Sequence, residues 1–192
     1  MLFVGLIGSC GHSDDGVVDE GEVITRVELS FTPEAGGTPI VALFDDPDGD
    51  GGDAPVVDDI QLAPGNYTLA VRFENGLETP AEDITVEVSD ESTEHQVFFT
   101  GSAVDGPATN NAGAPLSHLY DDMDANGLPV GLANSIVAAA GQGQLIVTLR
   151  HLPPIGDRMV KSSELTGDVA MSGFSAIGGS TDVTVEFTVT VQ

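Results

Sequence analysis

Three alternating aspartates give the chain its clearest candidate for chemistry. Asp46, Asp48 and Asp50 are each separated by one residue, and Gly51 follows them. Alternating carboxylates closed by a glycine are typical of a loop that surrounds a hard cation such as Ca²⁺ with oxygen atoms. The sequence therefore predicts a calcium site in residues 44–57, with a solvated acidic turn as the alternative.

The ligand set of this first acidic loop is incomplete. An EF-hand loop carries a bidentate glutamate at its twelfth position, where this chain has Val57. Nearby acids such as Asp53 and Asp58, or a distant strand, would have to complete the shell. Calcium would then stabilise the tip of a β structure.

A second acidic loop repeats the pattern with fewer charges. It contains Asp122, Asp124 and Asn126, followed by Gly127, and its twelfth position is Ala133. A weaker calcium site is predicted there by the same argument.

Histidines offer a different kind of site. His95 and His151 have the donor atoms that Zn²⁺ or Cu²⁺ prefers, and Glu94 adds a carboxylate beside the first of them. Strands could bring these residues together, although no short ligand spacing such as His-x-His supports the idea. Isolated histidines at strand ends are more often hydrogen-bonded structural residues.

Nothing in the chain predicts catalysis. The run from Gly173 through Ser175 to Gly178 is one residue too long for a nucleophile elbow. The chain also has no tryptophan for stacking a carbohydrate. We therefore expect a protein that is not an enzyme.

Charge and cysteine content exclude several classes of protein. Five Lys and Arg against 31 Asp and Glu leave a formal charge of −26. Nucleic acids and anionic membrane surfaces are poor partners for such a surface. Cys10 is the single cysteine, so an internal disulfide and a cysteine-based zinc site are both excluded.

The amino terminus predicts a lipid anchor. Residues 1–9 are apolar and end in small residues immediately before Cys10, as in the back half of a bacterial lipoprotein signal. The charged n-region is missing, so we expect the true start to lie upstream. Cys10 would carry the lipid, and the small acidic residues of 10–21 would form a flexible tether.

Residues 22–192 predict one β domain. Apolar residues alternate with polar ones around Leu29, Val71, Val147 and Val185, which is the period of half-buried strands. Residues 79–90 are ambiguous, since residues 80–83 could open a short helix. We favour a strand, because three β-branched residues recur there at period two. Residues 155–180 are expected to be mostly loop.

The predicted fold class is all-β, with antiparallel sheets in an immunoglobulin-like sandwich and little helix. Either one sandwich or two packed β halves fit the pattern. The Gly- and Asn-rich segment 101–114 is the natural boundary between such halves.

Several short sequence segments of this chain together resemble those of one protein family. It consists of small Bacteroidetes-type envelope lipoproteins that are often labelled "type 1 periplasmic binding fold superfamily protein". The segments are residues 22–25, 46–57, 79–85, 94–96, 122–127, 129–132, 147–151 and 178–182. The label implies two α/β lobes, but the chain is too short for them and lacks helical periodicity.

Two functional hypotheses follow. The first is a non-enzymatic lipoprotein of the outer membrane, facing the periplasm or the cell surface, whose Ca²⁺-stabilised acidic β domain is a binding or structural surface. The alternative is an accessory protein that captures a small ligand or a metal for a TonB-dependent outer-membrane receptor. Either protein would contact the membrane through its lipid.

Overall fold

The computed structural model describes residues 22–49 and 51–192. The signal segment, Cys10, the tether and Asp50 lie outside the described residues. Within them, the strands are β1 Arg26–Pro33, β2 Ile40–Asp45, β3 Val56–Val57, β4 Ile60–Leu62, β5 Gly65–Asn75, β6 Glu82–Asp83, β7 His95–Thr100, β8 Val104–Asp105, β9 Leu116–Tyr120, β10 Ala133–Ala138, β11 Gly141–His151 and β12 Ser180–Val191. The helices are α1 Ile84–Asp90, α2 Leu165–Ser172 and a short 3-10 helix, Phe174–Ala176.

The strands form two sheets. The larger sheet has the order β3-β2-β1-β5-β10-β9-β8, and β6 pairs with β5 beside this path. The smaller sheet has the order β4-β12-β11-β7. The pairs β4–β12 and β8–β9 are parallel and the other pairs are antiparallel.

One hydrophobic core connects the sheets. Val27, Leu29 and Phe31 of β1 are fully buried, and so is Phe187 of β12. These side chains belong to one cluster that draws residues from both sheets. The period-two pattern thus places alternate residues in the core, as expected for half-buried strands.

The all-β prediction with little helix is confirmed. The alternation predicted around Val185 is present in β12, whose alternate apolar residues face the core; the strand lies between β4 and β11. The immunoglobulin-like sandwich arrangement stays a prediction. Segment 101–114 contains the short strand β8, and its Ala103 and Val104 are buried in the shared core.

The strand favoured within residues 79–90 is wrong, because Ile84–Asp90 forms helix α1. The Asp83 side chain accepts a hydrogen bond from the Thr85 amide and caps the helix amino terminus. Ile84 and Val88 are buried and lie one helical turn apart, whereas Val86 is 59% exposed. A cap and an i, i+4 contact with the core therefore outweigh the β propensity of the branched residues.

No helix among the described residues is long and apolar enough to cross a membrane.

The shared core predicts a large loss of stability when Phe187 is truncated. Phe187→Ala should lower the free energy of unfolding by about 3–5 kcal/mol, because it removes a fully buried aromatic side chain and leaves a cavity. Urea denaturation measures the change. Val86→Ala is the control and should change stability by less than about 0.5 kcal/mol, because that side chain is exposed. Equal losses in the two variants would contradict this description of the core.

Candidate metal centre

Strand pairing in the smaller sheet brings two histidines together. In the antiparallel register of β7 and β11, His95 lies directly opposite His151. Their rings stack with centroids 4.7 Å apart and planes within 9° of parallel. The sequence prediction that strands could bring these two residues together therefore agrees with the fold.

Two carboxylates from distant parts of the chain approach the same histidine. The Nε2 atom of His95 lies 3.6 Å from Oε1 of Glu22 and 3.9 Å from Oδ2 of Asp182. One potential ligand atom from each of the three residues lies within 4.8 Å of the other two. We call these residues the Glu22–His95–Asp182 cluster.

The cluster is buried and polar. The exposed fractions of the side chains are 0% for His95, 1% for Asp182 and 13% for Glu22. Among the described residues, no hydrogen-bond partner meets Nε2 of His95, Oε2 of Glu22 or Oδ2 of Asp182. Buried polar atoms in proteins are rarely left in this state, so their convergence is a chemical signal.

The other ring nitrogen of His95 is oriented by the backbone. Nδ1 lies 3.3 Å from the carbonyl oxygen of Glu91, so the tautomer that donates from Nδ1 leaves the Nε2 lone pair facing the two carboxylates. A histidine that ligates a metal commonly donates its second N–H to a backbone carbonyl in this way.

The ionisation of the cluster reflects its burial and its mutual charges. Burial, with the nearby Glu22 carboxylate as a second cause, raises the pKa of Asp182 to about 6. Burial by itself lowers the pKa of His95, but the Glu22 carboxylate and other acceptors reverse the effect, and the pKa is raised. Interaction with His95, opposed by burial, lowers the pKa of Glu22.

His151 stacks on the ring of His95 but is poorly placed to bind the same metal ion. A metal lies close to the plane of the imidazole that binds it, and two stacked parallel rings do not share such a point. Ring nitrogens of both histidines and a Glu91 carboxylate oxygen do lie within 4.8 Å of one another. Glu94, the third residue of the predicted set, has its Oε2 3.9 Å from Nε2 of His151.

Two buried cations fix the elements that carry the cluster. The Lys161 ammonium donates to the carbonyl oxygens of Ser92 and His95. The Arg150 guanidinium donates to the carbonyl oxygens of Gly178 and Gly179, just before β12. Two of the five basic residues in the chain are thus used to hold the backbone on either side of the cluster.

A β-bulge turns Asp182 towards His95. The register of β11 and β12 shifts so that Leu149 opposes Val183 while Arg150 opposes Thr181, which leaves Asp182 without a cross-strand partner. Such an extra residue bends the strand and redirects its side chain. Asp182 is therefore buried, although strict alternation would place it on the polar face with Thr184.

A cavity of about 570 Å³ is lined by residues of both the cluster and the first acidic loop. The lining includes Glu22 and Asp182 of the cluster and Asp46 and Asp48 of the loop. Two of the predicted calcium ligands therefore face the same space as two members of the cluster.

Two other predicted calcium ligands, Asp53 and Asp58, lie away from this cavity. Oδ2 of Asp48 accepts a hydrogen bond from the Asp53 amide. Oδ2 of Asp58 accepts one from the Leu43 amide. Asp53 and Asp58 are absent from the cavity lining.

The carboxylates of the second acidic loop stabilise the loop itself. Asp122 accepts hydrogen bonds from the amides of three successive residues, 131–133. Oδ1 of Asp124 accepts from the amides of Asn126 and Leu128, while its Oδ2 lies 2.9 Å from the Lys161 ammonium. A calcium ion there would have to displace these donors, and the Asn126 side chain is exposed.

Sequence reasoning missed Glu22 and Asp182 as ligand candidates. Neither residue belongs to a short motif, and each approaches His95 only through tertiary structure. Comparison with known proteins adds no candidate, since no family model, no curated protein and no solved structure matches the chain.

The raised pKa of Asp182 predicts a specific pH dependence in chelator-treated protein. Folded Asp182 keeps its proton to about pH 6, whereas the unfolded residue ionises near pH 3.8, so its stabilising contribution is complete below pH 3.8 and lost as pH rises through 6. From pH 4 to 7 the stability of the wild type relative to Asp182→Asn should fall by on the order of 3 kcal/mol. Urea denaturation at several pH values measures this, with the exposed Asp157→Asn as control. A pH-independent difference would contradict the assignment.

The buried ion pair between Lys161 and Asp124 predicts a second effect. Both side chains are fully buried. Asp124→Asn keeps the Oδ1 acceptor but leaves the ammonium without its counter-charge, and should destabilise the fold by about 3–5 kcal/mol. The double variant Asp124→Asn, Lys161→Met should recover part of this loss because no charge then stays buried. Thermal and urea unfolding distinguish the variants, and a single variant as stable as wild type would refute the role of the pair.

Proposed function

We propose that the protein binds a divalent metal ion at the Glu22–His95–Asp182 cluster. Zn²⁺ is the ion whose usual ligands and geometry fit the cluster best. The observation that carries this proposal is the convergence of an imidazole nitrogen and two carboxylates, with Nε2 of His95, Oδ2 of Asp182 and the second oxygen of Glu22, Oε2, lacking a hydrogen-bond partner among the described residues. Of the two hypotheses drawn from the sequence, the arrangement favours metal capture.

The spacing of the ligand atoms supports the proposal. Two ligands about 2.1 Å from a tetrahedral zinc ion lie about 3.4 Å from each other. The separations from Nε2 of His95 are 3.6 Å and 3.9 Å, so these two ligand pairs need shifts of only a few tenths of an ångström.

Charge also favours a divalent ion. Two carboxylates balance a charge of +2, and a neutral imidazole leaves the assembly without net charge in its buried setting. Without an ion, two carboxylates are close to each other in a region that water hardly reaches, which is the cause of the raised pKa of Asp182. One nitrogen and two carboxylate oxygens are ordinary ligands for zinc.

Three protein ligands leave one position of a tetrahedral ion open. Structural zinc sites usually have four protein ligands, whereas sites that exchange a ligand keep one position free. Glu22 and Asp182 both line the cavity, so the open position would face it. This supports reversible capture over a permanent structural ion.

The cellular setting of the proposal comes from the sequence. We propose a non-enzymatic lipoprotein attached to the outer membrane through Cys10, which presents the captured ion to a TonB-dependent receptor. The formal charge of −26 supports a function that concentrates cations near the protein. Calcium at the first acidic loop stays a further proposal, supported by the position of Asp46 and Asp48 on the cavity.

Metal titration tests the proposal directly. Zn²⁺ affinity measured by competition with a chromophoric chelator should fall more than about 100-fold in His95→Gln, because the loss of even an outer-shell partner commonly weakens binding 10- to 100-fold. His118→Gln is the matched control, since His118 is also buried but bonds to Asn134, away from the cluster. Circular dichroism verifies that both variants fold. A wild type that binds Zn²⁺ no more tightly than His95→Gln would overturn the proposal.

A further inference from the structure

We infer, on the basis of the proposed metal site, that the ion reaches the cluster through the cavity and that Asp46 and Asp48 accelerate its capture. These two aspartates are then residues of the access route and are not ligands of the bound ion. The first acidic loop would be an electrostatic funnel for hydrated divalent cations.

The cavity supplies the route. It has a volume of about 570 Å³, which is sufficient for several water molecules around an incoming ion. Four of its nine described lining residues are acids: Glu22, Asp46, Asp48 and Asp182. No lysine or arginine is among the described lining residues, so none of these side chains repels a cation.

One buried group on the lining points to a ligand site beside the cavity. The Asp182 side chain lines the cavity, is 1% exposed, and has no hydrogen-bond partner for Oδ2 in the described part of the chain. A cluster of exposed acids at a loop tip would carry no such indication. Here the same cavity is lined both by the acids of the loop and by an ionisable group removed from solvent.

The loop is fixed where it meets the cavity. The Asp46 amide donates to the Thr25 carbonyl, and the Thr25 amide donates to the Glu74 carbonyl, at 2.8 Å and 3.1 Å. Gly49 has φ 58°, a conformation that favours glycine, and its amide donates to the Asp46 carbonyl. The carboxylates are therefore held beside the segment that carries Glu22.

The physical effect concerns the association rate. Clefts lined by one sign of charge concentrate counter-ions and raise association rates about 10- to 1,000-fold, with a steep dependence on ionic strength. Asp46 and Asp48 are only two of the charges in this cleft, so they should supply part of this increase in association rate. Their removal should slow capture and leave the rate of release nearly unchanged.

The test compares two double variants with the same change in charge. Asp46→Asn, Asp48→Asn removes two charges from the cavity lining, whereas Asp53→Asn, Asp58→Asn removes two from the same segment but outside the lining. Mixing Zn²⁺-loaded protein with excess chelator in a stopped-flow instrument gives the release rate. The association rate is that rate divided by the Kd from competition titration.

The cavity variant should associate about three- to tenfold more slowly than wild type at low ionic strength. The difference should shrink in 0.5 M NaCl, and the control variant should lose less than about twofold. Equal effects of the two variants, or no effect of either, would overturn the access route while the metal site stands. A faster release rate in the cavity variant would also overturn it, because it would make Asp46 or Asp48 a ligand. Failure of the wild type to bind Zn²⁺ would instead remove the proposed function.

Discussion

The pairing of β11 with β7 on one side and with β12 on the other decides where the polar groups of the smaller sheet lie. His95 and His151 face each other because the register of β7 and β11 pairs them, at the end of the two strands. Asp182 points at His95 because the β12 register shifts by one residue at the same end of the sheet. A perfectly regular sheet would direct Asp182 to the polar face, away from the imidazole.

This end of the sheet concentrates charge that the protein would otherwise keep in water. Glu22, Asp182 and His95 are joined there by Lys161 and Arg150, whose donors are used mainly on backbone carbonyls. Burial of unpaired charge is expensive, and a protein retains it where the charge has a function or where strong partners compensate. Lys161 has such a partner in Asp124. Among the residues that the structure describes, the carboxylate of Asp182 has no charged partner at comparable distance, since Nε2 of His95 is 3.9 Å away.

Much of the fold could be predicted from the sequence, because period-two alternation depends only on which face of a strand is buried. The β12 pattern predicted the buried set that ends at Val191. The same reasoning failed at α1, where three β-branched residues mimic a strand. The cap that Asp83 forms with the Thr85 amide is local, but the burial of Ile84 and Val88 against the core depends on tertiary packing. It also gave no sign that Asp182 is buried, since a bulge has no signature in alternation alone. Glu22 had no signal at all, because its proximity to His95 arises from the packing of the amino-terminal segment against the other sheet.

The central claim is that the Glu22–His95–Asp182 cluster coordinates a divalent metal ion, and crystallography with anomalous scattering tests it most directly. Crystals grown with one equivalent of Zn²⁺ should show, at the zinc absorption edge, one strong anomalous peak about 2.0–2.2 Å from Nε2 of His95 and from an oxygen of each carboxylate. An anomalous peak at the acidic loops alone, or no peak near His95 in crystals that contain zinc, would contradict the account.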